Sequence, residues 1–179
     1  MNTKVILVDR SDKEIGLEEK MAAHKKGDLH RAISVYIFNS KGQLMMQQRA
    51  AGVYHSPFVW SNTCCSNCYE GESAAESAHR SLKNEMGFDC KLTEMFTQIY
   101  KTPVTNGMTE HEFLHVFFGR HEETPKINSE EVMDWKWVNF QDLSDDIKKN
   151  GKEYSAWLRI LIKGQLKDEV EKYIKKKST

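Results

Sequence analysis

This sequence has no surplus of charge. Its 26 Lys and Arg residues balance 26 Asp and Glu residues, so nothing calls for a polyanionic partner such as nucleic acid. It has no apolar run long enough to span a bilayer. Residues 1–14, MNTKVILVDRSDKE, hold only a short apolar stretch, broken at once by Asp9, Arg10 and Asp12, and read as a strand, not a secretory signal. Cysteine is scarce: Cys64, Cys65, Cys68 and Cys90, without a secretory signal, predict unpaired thiols in a reducing, cytoplasmic setting. No internal repeat occurs, and the one biased tract is a lysine-rich tail at 175–179, expected to be solvated. A length of 179 residues suits one domain with a sizeable core, expected as a monomer or weak dimer.

What the sequence does hold is concentrated at 60–88, WSNTCCSNCYEGESAAESAHRSLKNEMGF. Its first half reads as a polar loop bearing three thiols. Its second half predicts a helix over 72–86, with Ala74, Ala75, Ala78, Leu82 and Met86 on one face and Glu72, Glu76, Arg80 and Glu85 on the other, stopped by Gly87. Carboxylates on a helix after a polar loop can hold Mg²⁺ against a phosphate, although a charged helix face is more often simply solvated.

Around this stretch the patterning predicts a strand at 4–8, a short helix at 17–24 and a turn at 25–28. A hairpin of strands 31–38 and 44–49 follows about Asn39-Ser40-Lys41-Gly42, then a loop at 50–57. Later come β-like 89–100, a loop at 102–109, strands at 113–120 and within 131–138, a short helix at 143–149, and a long C-terminal helix capped by Ser155. Strands before, between and after helices give an α+β fold, a mixed sheet sandwiched between helices.

Several residues could carry chemistry. His24 and His30 straddle a turn and could converge on a pocket, though either alone is more often a surface histidine. Cys65 and Cys68 form half of a zinc motif whose other half is missing, because only Cys90 remains. Strand alternation puts Glu110 and Glu112 on one side, where they repel each other unless water or a positive charge intervenes. With the two histidines they make a His/Glu site for Mg²⁺, Mn²⁺ or Zn²⁺ conceivable. Tyr154 and Trp157, at helix spacing, read first as core.

Together these groups resemble type I isopentenyl diphosphate isomerase, a family with the Nudix fold. The likeness is carried by Trp60-Ser61-Asn62-Thr63-Cys64-Cys65-Ser66, by Tyr100, by Glu110-His111-Glu112 and by Tyr154-Ser155-Ala156-Trp157. Glu19 to His24 and Asn39 to Leu44 fit as well, so the match runs in order from about residue 4 to 165. The resemblance implies an α/β/α Nudix sandwich and a 1,3-proton shift between isopentenyl and dimethylallyl diphosphate. It matches Cys65 and Glu112 to the acid/base pair, Tyr100 to the hydrogen-bond partner of the glutamate, and Trp157 to a π face for the carbocation. It implies Mg²⁺ bridging the diphosphate through Glu85, with Lys20, Arg49 and Ser66 at the substrate. A second divalent ion, Mn²⁺, Mg²⁺ or Zn²⁺, is implied at His24, His30, Glu110, Glu112 and position 67.

The chain departs from the pattern in three places. Position 67 is Asn where the family has a ligating His, so the amide oxygen or the soft thiol of Cys68 would have to substitute. Val53 replaces a lysine of the anion clamp, which His55 would partly restore. In the Nudix box Ser66 stands for Gly, and Ser81 and Asn84 replace acidic residues while Glu72, Arg80 and Glu85 are kept, which disfavours ordinary pyrophosphate hydrolysis. The alternatives are a diverged Nudix-type hydrolase or diphosphate-binding relative, and a non-catalytic binding module. The last has no use for Cys65, Glu112, Tyr100 and Trp157 together.

Overall fold

The computed structural model describes residues 3–176. Its spine is β3 (His30–Phe38), whose HRAISVYIF is buried at every position but Arg31. A strand this apolar must be covered on both faces and paired on both edges. On one edge it takes β8 (Thr109–Arg120) in parallel, from His30↔Glu112 to Phe38↔Arg120. On the other it takes β6 (Cys64–Asn67) antiparallel, from Ala32↔Asn67 to Val35↔Cys64, and touches β1 (Lys4–Val8) at Leu7↔His30. β1 pairs with β2 (Glu14–Glu19), and β8 pairs on its outer edge with β7 (Leu92–Pro103). β4 (Leu44–Arg49) joins β9 (Val132–Val138) and the short β5 (Trp60–Ser61), which completes a mixed sheet of nine strands among the described residues.

Period-two alternation then divides the side chains. Ala32, Tyr36, Phe38, Leu114, Val116 and Phe118 face α3 (Phe140–Asn150), α4 (Ala156–Leu161) and α5 (Gln165–Lys175). Ile33, Val35, Ile37, Phe117, Cys64 and Cys68 face α2 (Ala74–Met86). Each large apolar side chain so buried contributes roughly 1.5–3 kcal/mol, and a one-residue slip would exchange the faces. The expected α/β/α sandwich is therefore what forms.

Several elements differ from expectation. The hairpin turn forms, with Asn39 Oδ1 accepting from Lys41 N and Gln43 N, but β3 and β4 pair only at Phe38↔Leu44 and then part. The edges of β3 are taken instead by β6 and β8. The segment at 17–24 divides into the end of β2 and α1 (Lys20–Lys26), because Glu19 caps α1 by accepting from Ala22 N. α2 starts at Ala74, not 72, since Ser73 and Glu76 close a capping box, and Ala75 lies exposed. The long C-terminal helix is two helices broken at Gly164; Ser155 makes no cap bond because its hydroxyl is paired with Ser61 Oγ, 3.1 Å away. The thiol stretch is no surface loop: β6 is a partner of the spine. The lysine-rich tail beyond residue 176 lies outside the described residues.

Candidate active site

One cavity opens at the His30 end of β3, and it collects most of the residues the sequence singled out. Cys65, Ser66, Asn67, Glu85, Tyr100, Glu110, Glu112, Trp157, Lys20 and Arg49 all line it. His24 and His30 stand behind Glu110, fully buried. The register explains the convergence. Cys65 sits level with Ser34 and Glu112 level with His30, and both paired positions are even-numbered residues of β3, so both side chains rise on the face of Ala32 and Tyr36. Cys64 and Cys68 point the other way, into the core beneath α2. That geometry overturns Cys68 as a replacement metal ligand, and it separates the two halves of the Cys-x-x-Cys pair.

Cys65 Sγ donates to Asn62 Oδ1 at 3.1 Å. The orientation of that amide is locked, because Asn62 Nδ2 donates to Ser34 Oγ, Val35 O and Cys64 O at 2.9–3.0 Å. The same Oδ1 accepts from Ser61 Oγ, and Ser61 Oγ accepts from the Trp157 indole Nε1 at 2.9 Å. Thiol and indole are thus held by one buried chain of hydrogen bonds, a positioning role for Ser61 and Asn62 that no single motif residue announced. Burial pushes the Cys65 thiol up to about 12, so it keeps its proton.

Across the cavity, Tyr100 pairs with Glu112 between β7 and β8, and its hydroxyl donates to Glu112 Oε2 at 2.6 Å. Burial first, and then the Glu110 carboxylate, push Glu112 well above the ordinary carboxylate range. Glu85 reaches in from the last turn of α2 and accepts from Gln47 Nε2 at 2.8 Å; burial pushes it up to about 8. Of the other box residues, Arg80 is spent on Glu72, at 2.5 Å, and on Asn67 O, at 3.0 Å.

Glu110 is ringed by imidazoles. His24 Nε2 and His30 Nε2 lie 3.3 and 3.9 Å from its Oε2, and the ligand atoms of these three residues fall within 4.8 Å of one another. Each ring is oriented from behind: His24 Nδ1 donates to Lys20 O at 2.7 Å and His30 Nδ1 to Asp28 O at 2.9 Å. That assignment leaves the Nε2 lone pairs facing inward. His30 Nε2 and Glu110 Oε2 are buried without a hydrogen-bond partner, so the residues fit a divalent cation.

His55 lines the cavity too; it is buried, and its Nε2 sits 2.6 Å from Glu110 Oε1. Arg49, besides lining the cavity, holds this loop by donating to His55 O at 2.9 Å and Ser56 O at 3.0 Å, and its guanidinium lies 5.3 Å from the Trp157 ring centroid. Lys20 Nζ lies 3.9 Å from the Tyr54 ring centroid, and burial lowers its pKa. Tyr154 belongs to the core, as its helix spacing suggested.

Residues 28–158 match the family model of the NUDIX domain, and this is a Nudix-domain chain. Solved structures agree on the fold. A protein of Deinococcus radiodurans aligns with a TM-score of 0.75 at 19% identity, over 89% of this chain and 97% of that one. A MutT protein of Methanosarcina mazei aligns with a TM-score of 0.62 at 16% identity, over 84% of this chain and 96% of that one. Sequence relatives narrow the class. Isopentenyl-diphosphate Delta-isomerase 2 of Aromatoleum aromaticum is 50% identical over 88% of this chain and 84% of its own length. Isomerase 1 of the same organism is 49% identical over 90% and 92%, and the isomerase of Pectobacterium atrosepticum is 46% identical over 88% of each. The chain belongs to the type I isopentenyl-diphosphate delta-isomerase family within the Nudix superfamily.

Proposed function

We propose that this protein isomerises isopentenyl diphosphate to dimethylallyl diphosphate, with Cys65 and Glu112 as its proton-transfer pair. The supporting observation is that the Cys65 thiol and the Glu112 carboxyl, from strands on opposite edges of β3, border one cavity. An unactivated alkene is a weak base. The member that carries a proton gives it to the alkene, forming a tertiary carbocation, and the member that is ionised takes one from the far carbon. Neither atoms nor charge are lost, and the reverse reaction exchanges the roles. Tyr100 holds Glu112 through the transfer, and the Trp157 ring faces the cation, a contact worth about 2 kcal/mol when dry.

Lys20, Arg49 and Ser66 would bind the diphosphate, and Glu85 would hold Mg²⁺, which would offset the diphosphate's negative charge. His24, His30, Glu110 and Glu112, with Asn67 as the expected fifth ligand, hold a second ion: Mn²⁺, Mg²⁺ or Zn²⁺. When bound, a divalent cation offsets the repulsion between Glu110 and Glu112 and favours the ionised carboxylate. The substrate is the only partner this reading requires, for a monomer or weak dimer in the cytoplasm. No described helix is long and apolar enough to cross a membrane.

The test is purified protein with Mg²⁺ and isopentenyl diphosphate, following acid-labile allylic diphosphate. Allylic product that disappears in Cys65→Ala supports the proposal. Release of inorganic phosphate with no allylic product replaces it with a hydrolase, a reading that Ser81 and Asn84 in the cavity wall disfavour.

A further inference from the structure

The geometry points to His55 as a ligand of the cation site, the third imidazole of a set made by His24, His30, Glu110 and His55. The inference rests on the proposal that this cluster binds a divalent ion.

Three observations carry it. First, the approach is complementary: His24 and His30 face Glu110 Oε2, while His55 Nε2 lies 2.6 Å from Oε1, so both carboxylate oxygens are met by imidazole nitrogens. Second, the inner atoms are orphaned. His30 Nε2, His55 Nε2 and Glu110 Oε2 are all buried with no hydrogen-bond partner; His55 Nε2 comes close to Oε1 but off the line of a hydrogen bond. Two unpartnered imidazole nitrogens beside an unpartnered carboxylate oxygen are costly unless something shared lies between them. Third, the loop is built to present this ring. Arg49 donates to the carbonyls of His55 and Ser56, and Ser56 N donates to Thr105 Oγ1 at 2.6 Å. Asn106 Nδ2 donates to Tyr54 O at 2.9 Å. Ser56 Oγ, 3.2 Å from His55 Nδ1, engages the outer nitrogen, as Lys20 O and Asp28 O do for the other two rings.

Asn67 lines the cavity and neighbours the Tyr54 hydroxyl. An imidazole-rich set with one or two carboxylates selects the transition-metal class, Mn²⁺, Co²⁺ or Zn²⁺, over Mg²⁺.

The test is Co²⁺ titration into metal-stripped full-length protein, read by the visible ligand-field spectrum and by thermal shift, independently of turnover. His55→Ala should weaken Co²⁺ at least about tenfold and alter the spectrum, as His24→Ala does. His55→Asp, which keeps a donor, should recover part of that loss. Asn67→Ala should lose less Co²⁺ affinity than His55→Ala. If His24→Ala weakens Co²⁺ while His55→Ala matches wild type in affinity and spectrum, His55 is only a counter-ion and the inference fails while the cation site stands. If Asn67→Ala loses more than His55→Ala, the amide is the ligand and the inference fails. If His24→Ala also binds like wild type, the cation site itself fails. Circular dichroism of each metal-free variant separates lost ligation from lost fold.

Discussion

Cys64 and Cys65 are adjacent in the chain and lie on opposite faces of the sheet, and that placement sorts their roles. Cys65 faces Asn62 and the cavity, whereas Cys64 is wholly buried under α2. Cys65→Ala should lower kcat by about 10²–10⁴-fold, the usual worth of a positioned acid or base, without loss of folded protein. Cys64→Ala should keep turnover and cost about 1 kcal/mol in urea denaturation. Equal turnover in the two variants would remove Cys65 from the proton-transfer pair. Glu85 makes a second prediction at this scale. Burial raises it from 4.5 to about 8, so between those values the folded state keeps a proton that the unfolded chain has released. Its contribution to stability is whole below the unfolded pKa and drains away as pH rises to about 8. In chelated buffer, Glu85→Gln should match wild type near pH 4 and exceed it by roughly 2–4 kcal/mol at pH 9. A constant difference across pH would mean that Glu85 titrates normally.

The helix that carries Glu85 was the most legible element, because its signals are local. The apolar residues repeat at helical period and Gly87 ends it, while the Ser73–Glu76 capping box moves its start from the expected 72 to 74. Gly87 is at φ +74°, and a Cβ there would meet Lys126 O at 2.3 Å. Gly87→Ala should therefore cost more than the 1–2 kcal/mol typical of a left-handed residue. It should also raise the Mg²⁺ concentration needed for turnover, since Asn128 N donates to Glu85 O beside that contact. An alanine variant as stable as wild type would show that the 126–128 segment yields freely. The stretch at 60–67 was illegible by the same local logic. Its Ser, Asn, Thr and Cys composition reads as loop, yet its polar groups bond inward: Thr63 Oγ1 accepts from Ile37 N and donates to Met45 O, and Asn62 reaches Ser34 and Val35. Partners supplied by distant strands turn polar residues into buried strand, and no window of sequence contains them. The splayed hairpin has the same origin, because the competitors of β4 for the edge of β3 are remote in the chain.

At the scale of the molecule, the site exists because β8 returns alongside β3 in parallel and sets Glu110 and Glu112 against His24 and His30. Family likeness supplied the roles of these residues, and alternation alone placed the two glutamates together. The direction of His55 had no sequence signal beyond its being a histidine, since the loop that aims it is tied down by Arg49, Thr105 and Asn106. The assembled cavity gathers Glu85, Glu110, Glu112 and Glu131 in a chain whose formal net charge is zero. Carboxylates crowded in a buried space repel one another, and folding without a cation leaves that repulsion and the orphaned imidazoles uncompensated. A cation that binds only the folded state stabilises it by RT ln(1 + [L]/Kd), about 2.7 kcal/mol at one hundred times Kd. For a chain of this size that is a rise in Tm of roughly 5–10 °C. Metal-stripped protein should melt lower by that amount, lose turnover, and recover both with Mn²⁺ and in part with Mg²⁺. Differential scanning calorimetry beside the allylic-product assay measures the two together. Protein shown by elemental analysis to be metal-free, with unchanged Tm and full turnover under excess chelator, would sink the cation site and every role built on it.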